Sequence, residues 1–231
     1  MSRLALLGLA VGSLLFGGLS VLPLSASIEA ENENDAWLTM ELLPIEATAL
    51  AEWQAARHES LSKLPGFGGA HAFTPIGDEK RAVAVSLWSS IEAREDAALA
   101  LDGSESVTPA SQLHFRRLRS SDYDSKTPTG HLEVVVHRTK AGTTREANLA
   151  LYDKAEADFA KGEGLLGHSL WISPNGQWLH LLHWRSAQAF EETGKAFMRT
   201  PGVGAWIRSL DFRRFQMLRG DVTPPPKSES R

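Results

Sequence analysis

Apolar and polar residues alternate over Trp37 to Leu43. Leu38, Met40 and Leu42 share one face, and Trp37, Thr39 and Glu41 the other, as in a half-buried strand. Pro44 ends the run. Glu46 to Leu61 is Ala-rich and free of Gly and Pro. It predicts a helix with Leu50, Trp53 and Leu61 on its apolar side. Pro65-Gly66-Phe67-Gly68-Gly69 reads as a turn. His71 to Pro75 and Arg81 to Trp88 read as a hairpin about Gly77-Asp78. Ser90 is placed to cap a helix over Ile91 to Leu101, and Leu113 to Arg119 reads as a closing strand.

The pattern then recurs. His131 to Arg138 is a strand with Leu132, Val134 and Val136 on one face. Thr144 to Lys161 is a helix with Leu151, Ala155 and Phe159 at helical spacing, stopped by Gly162 and Gly164. Gly167 to Ile172 and Gln177 to Trp184 form a hairpin about Pro174-Asn175-Gly176. Ser186 caps a helix that Thr200-Pro201-Gly202 interrupts, and Val203 to Arg208 reads as a further short helix. Phe212 to Leu218 reads as the last strand.

Two local matches tie the halves together. Leu87-Trp88-Ser89-Ser90-Ile91-Glu92-Ala93 aligns with His183-Trp184-Arg185-Ser186-Ala187-Gln188-Ala189, and Leu113-His114-Phe115-Arg116-Arg117 with Leu210-Asp211-Phe212-Arg213-Arg214. The spacings between the matches differ by one residue. The class is therefore α+β, with β-α-β-β-α-β twice, the ferredoxin-like split βαβ order. Residues 35–120 form the first repeat, 121–130 a polar linker, 131–220 the second repeat, and 221–231 a Pro- and charge-rich tail of disordered composition. Each sheet would carry helices on one face and bury the other against its sister.

The N-terminus is different in kind. Arg3 precedes an apolar run from Leu4 to Leu22, then Pro23 and the small residues Ser25-Ala26-Ser27. Residues 1–27 therefore read as a secretory signal peptide, which predicts a periplasmic or secreted protein. An uncleaved anchor is the alternative. There is no cysteine, so disulfides, thiol catalysis and cysteine metal sites are excluded. The net charge of −4 and the lack of a basic run argue against nucleic acid as a partner.

The Pro65-Gly66-Phe67 turn, the strand-ending Trp88 and Trp184, and the helices opening Ile91-Glu92-Ala93 and Ala187-Gln188-Ala189 resemble the antibiotic biosynthesis monooxygenase-like family. The resemblance covers residues 35–219. It implies that the tandem repeats form an intramolecular dimeric α+β barrel, a pseudo-dimer within one chain. It also implies either cofactor-independent oxygenation of polycyclic phenols or haem binding. For haem breakdown the family uses an Asn on strand one and a His on the second helix, and neither position is filled here in either repeat.

Candidate chemistry concentrates in the second repeat. His180 and His183 are candidate bases for a phenolic substrate, since a neutral imidazole titrates near working pH. Trp184 and Trp88 are candidates to pack the ring, or else to staple the following helix. Arg213 or Arg116 would balance a phenolate, and His137 and Glu133 are further ligand-binding candidates. If the apolar strand faces meet the helices, His183 enters that layer beside Leu179 and Leu181. No metal is predicted: His131 and His137 lie about 20 Å apart along a strand. No cofactor is expected. The sequence thus points to an exported monooxygenase-like protein acting on an aromatic or quinone-type molecule. A non-catalytic binder of an apolar ligand such as haem, or a structural protein that has lost the site, stands as the alternative.

Overall fold

A computed structural model describes residues 36–101 and 107–223. The segment expected to be a signal peptide, and the tail beyond Thr223, lie outside these residues. Each half follows the expected order. The first contains β1 (Trp37–Leu43), α1 (Ala47–Leu61), β2 (Phe67–Phe73), β3 (Ala82–Trp88), α2 (Ile91–Leu101) and β4 (Ser111–Asp122). The second contains β5 (His131–His137), α3 (Arg145–Phe159), β6 (Leu165–Ile172), β7 (Trp178–Trp184), α4 (Ala187–Phe197), α5 (Pro201–Arg208) and β8 (Gln216–Asp221). Helix starts follow their caps. Ser90, Thr144 and Ser186 each accept a backbone N–H three residues on, at 3.1–3.2 Å.

All eight strands form one antiparallel sheet in the order β2-β3-β1-β4-β6-β7-β5-β8. Its two ends meet. Phe73 bridges Val222, the Thr223 N–H donates to the Ala72 carbonyl, and the Ile76 N–H donates to the Arg219 carbonyl. A Cβ at Gly220 would sit 2.3 Å from the Thr74 carbonyl oxygen, so only glycine admits this approach. The result is a barrel with unequal seams. β4 and β6 pair continuously from Arg116–Ile172 to Asp122–Gly167, apart from one bulge, while β2 and β8 share a single bridge.

The faces sort by period two. Leu38, Met40, Val85, Leu132, Val134 and Leu181 point into the barrel, where one core draws on both halves. The opposite faces meet the helices. Trp184, Phe159, Phe197 and Trp206 fill the second helix layer, and Trp88 with Leu61 and Ala97 part of the first.

The two halves agree in fine detail. Trp37 and His131 stand opposite Trp88 and Trp184. A bulge falls at Phe67/Gly69 in β2 and at Leu165/Gly167 in β6. Gly66 and Gly164, both at positive φ, accept from the Ser89 and Arg185 N–H groups. Their missing Cβ atoms would lie 2.5 Å from Ala93 and Ala189, so each turn seats directly on the following helix.

Several expectations are corrected. The Leu113 and Leu210 segments are not equivalent: Leu113 stands opposite Met40, and the residue opposite the matching Val134 is Leu218. Leu210 instead bridges Thr139, and Phe212–Arg214 is a 3-10 turn. The added helix α5 displaces this stretch, so β8 starts at Gln216. Ser121 and Asp122 belong to β4 rather than to a linker. Val222, expected in the tail, is buried against the barrel. His183 shares its face with Leu179 and Leu181 as expected, but that face lines the barrel and not the helix layer.

Candidate functional site

The structure separates the predicted site residues. His180 and His183 lie on opposite faces of β7, so no one ligand meets both from a single side. Trp184 is 1% exposed and packs against Phe190 and Phe197 with centroids 5.6 and 5.9 Å away. Trp88 donates to Ser86 Oγ at 3.3 Å and packs on Phe67. Both indoles are core staples, and neither borders a cavity large enough for a ring. His137 is sealed between Trp178 and Trp206, and burial pushes its imidazole down to about 4. Glu133 is also buried in the helix layer, and desolvation pushes it up to about 7 against the pull of Trp184 and Arg219. Arg213 is 90% exposed on its side chain and pairs with Asp211 on the 3-10 turn. Arg116 is half-buried on the outer face of β4, opposite Trp37.

One predicted residue does line a cavity. His183 opens onto a space of about 120 Å³ at one barrel mouth. Leu87, Arg117, His168, Ser169, Trp171 and Leu181 supply its inner wall, and the end of β4 with the β4–β5 connection, from Ser120 to Thr129, its rim. That connection is held in place. The Tyr123 and Asp124 N–H groups donate to the Leu166 carbonyl at 2.8 and 3.0 Å. Asp124 accepts from the Lys126 and Thr127 N–H groups and from Thr127 Oγ1, which holds its carboxyl below the usual range. Thr129 Oγ1 then reaches His183 Nδ1 at 3.3 Å. Trp171 is fixed by donation to Ser169 Oγ at 2.7 Å, with the Arg117 guanidinium 5.9 Å from its ring. Behind His183 stands His71 of β2, its ring centroid 6.0 Å away. Burial, then His183, pushes His71 down to about 3, and burial pushes His183 down to about 4. Both are neutral at ordinary pH.

Sequence reasoning missed Arg117, Trp171, Thr129 and His71. Arg117 could have been found by strand phase, since it lies two residues from Phe115 on the same face of β4. The others come together only through barrel closure.

His180 belongs to a second constellation in the helix layer. Tyr152 Oη lies 2.5 Å from His168 Nδ1 and 3.1 Å from His180 Nε2. His168 Nε2 meets Tyr123 Oη at 2.8 Å. The first half instead buries an ion pair, Arg57–Glu41 at 3.1 Å, with Gln112 also donating to Glu41.

Haem does not fit these residues. A cavity of about 120 Å³ is well below the roughly 300–1,000 Å³ of pockets for larger ligands, and aromatic side chains fill the layer around His180 and Trp184. Among the described residues no three His, Asp or Glu side chains converge as a metal site.

No protein-family model matches the chain, and no curated protein matches it. Solved structures do. An anthrone oxidase-like protein shares 13% identity, with 84% of this chain and 93% of that one covered and a TM-score of 0.59. A monooxygenase-like protein from Listeria innocua shares 13%, with 85% and 97% covered and a TM-score of 0.56. Chlorite dismutase from Candidatus Nitrospira defluvii, solved with imidazole, shares 13%, with 85% and 94% covered and a TM-score of 0.55. At such identities the likeness is one of fold: this chain has the α+β barrel of the monooxygenase-like and chlorite dismutase-like proteins.

Proposed function

We propose that this chain is an exported, monooxygenase-like protein that binds a single-ring, electron-rich phenol or quinol at the barrel mouth and oxygenates it without a bound cofactor. One observation carries the reading. His183, Arg117 and Trp171 converge from three strands of both halves on one cavity. Its size favours no more than one ring, partly open to solvent, because the space here is about 120 Å³ against the roughly 150 Å³ of a closed cavity that holds benzene. The barrel itself we read as two copies of a duplicated βαββαβ unit, supported by the shared bulges and the paired turns at Gly66 and Gly164.

The chemistry follows from the groups present. With Nδ1–H donating to Thr129, His183 presents Nε2 as an acceptor for the phenol proton. An imidazole pushed down to about 4 is a weak base, so transfer depends on the phenolate forming beside it and on the Arg117 cation balancing that charge. The phenolate ring carbon then adds dioxygen, forming a C–O bond. Cleavage of O–O and loss of the ring hydrogen as water leave a quinone. Phenol plus O₂ gives quinone plus H₂O, and the substrate supplies all four electrons.

The weak basicity of His183 favours one second reading, a binder without turnover. Oxygen-electrode assays with a panel of simple phenols and quinols decide. Uptake of one O₂ per ring, lost in His183→Ala and Arg117→Met, supports oxygenation. Saturable binding without uptake leaves the binder, and neither binding nor uptake sinks both.

A further inference from the structure

The chain contains only two tyrosines, and both lie in one hydrogen-bonded row: Tyr123, His168, Tyr152, His180. Proton counting allows this row to run in either of two directions, and the contact lengths at Tyr152 favour one. Tyr152 has one hydroxyl proton and two imidazole nitrogens beside it. The shorter contact, 2.5 Å to His168 Nδ1, takes that proton, and His180 Nε2–H donates to the phenol oxygen at 3.1 Å. His168 then carries its own proton on Nε2 and donates to Tyr123 at 2.8 Å. Every link is used once, with all four rings neutral. Tyr152 is fully buried, His168 and His180 are 2% exposed, and Tyr123 is 36% exposed. The row therefore leads from the helix-layer core to solvent.

We propose that Tyr152 is a one-electron redox site whose proton is held by His168. Burial keeps the phenol from ionising, so an electron leaves it only together with its proton. Oxidation by an oxygen-derived one-electron oxidant of the peroxyl class takes one electron from Tyr152. The O–H bond breaks, the proton passes to His168 Nδ1, and a neutral tyrosyl radical remains. An oxidised phenol is so strong an acid that even a desolvated imidazole accepts its proton. His168 holds that proton as an imidazolium beside the radical, its Nε2–H still facing Tyr123. Reduction reverses each step. Trp206, Phe159 and His180 surround the radical with ring centroids 5.2–6.1 Å from Tyr152, which excludes water and the collisions that would quench it. This site adjoins the barrel-mouth cavity, which His168 also lines, but shares no step with the phenol chemistry proposed there.

The test uses photogenerated tris-bipyridyl ruthenium(III) as the oxidant and electron paramagnetic resonance as the readout. In Tyr123→Phe, Tyr152 is the sole tyrosine, so any tyrosyl spectrum belongs to it. The expected result is a neutral tyrosyl radical with a hydrogen-bond-shifted g-tensor, lasting at least tenfold longer than free tyrosyl. Ring-fluorinated tyrosine in the same variant must add a ¹⁹F splitting, which makes the assignment without requiring Tyr152→Phe to fold. Tryptophan radicals alone, or a tyrosyl signal in the full chain that Tyr123→Phe abolishes, would overturn the proposal.

Discussion

Inside the barrel the imidazoles of His71 and His183 meet edge to face, 6.0 Å between centroids and 64° between planes. They come from opposite halves of the chain, β2 and β7. Buried His71 Nε2 has no hydrogen-bond partner, so the ring is a desolvated polar group within an apolar core. His71→Leu should therefore gain about 1–2 kcal/mol at pH 5 in urea unfolding. A loss would show that the ring is held by more than packing.

Acid should unfold the protein early. Burial pushes His71 down to about 3, and His137, His168 and His183 down to about 4. Their unfolded values lie near 6.5, so the unfolded chain binds more protons between pH 6.5 and 4. Their contribution is complete above pH 6.5 and lost as pH falls through that window. Glu133, raised to about 7, acts oppositely: its contribution is complete below about 4.5 and lost as pH rises through 7. Four imidazoles outweigh one carboxyl. Circular dichroism should show stability falling steeply from pH 6.5 to 4, with Glu133→Gln removing a smaller loss on the alkaline side. A flat profile down to pH 4 contradicts this.

Trp184 tests whether the helix layer or the barrel mouth holds the ligand. Trp184→Ala should cost about 3–5 kcal/mol through the cavity it leaves, with phenol affinity of the folded protein unchanged. Trp171→Leu should weaken phenol binding at least tenfold. The reverse pattern would return the site to the helix layer.

The Arg57–Glu41 pair makes a stability prediction in the first half. The Glu41 side chain is 4% exposed and that of Arg57 11%, and burial lowers the Arg57 pKa despite its partner. Glu41→Ala should cost about 3–5 kcal/mol by removing the buried carboxylate that faces this cation. Replacing both by Leu should cost much less, and equal costs would remove charge as the cause.

The strands and helices were legible because their signals are local. β1 and α2 begin and end where alternation and the Ser90 cap place them. The Trp88 and Trp184 match found like positions, because both residues end a strand against the same kind of turn. The Arg-Arg match misled because α5 was inserted between Trp184 and β8, and a five-residue likeness carries no register. The cavity was invisible for a different reason. His183 was named, but His71, Arg117, Trp171 and Thr129 reach it from four other chain segments, and only barrel closure assembles them. Tyr152 and His168 gave no pattern at all, since a helix and a strand present them.

The most direct measurement is a crystal structure of the chain soaked with 4-bromophenol, read by the bromine anomalous signal. The account predicts one peak at the barrel mouth, with the phenol oxygen within hydrogen-bonding distance of His183 and the ring against Trp171. A peak between the sheet and α3 or α5, or no peak at saturating ligand, would contradict it.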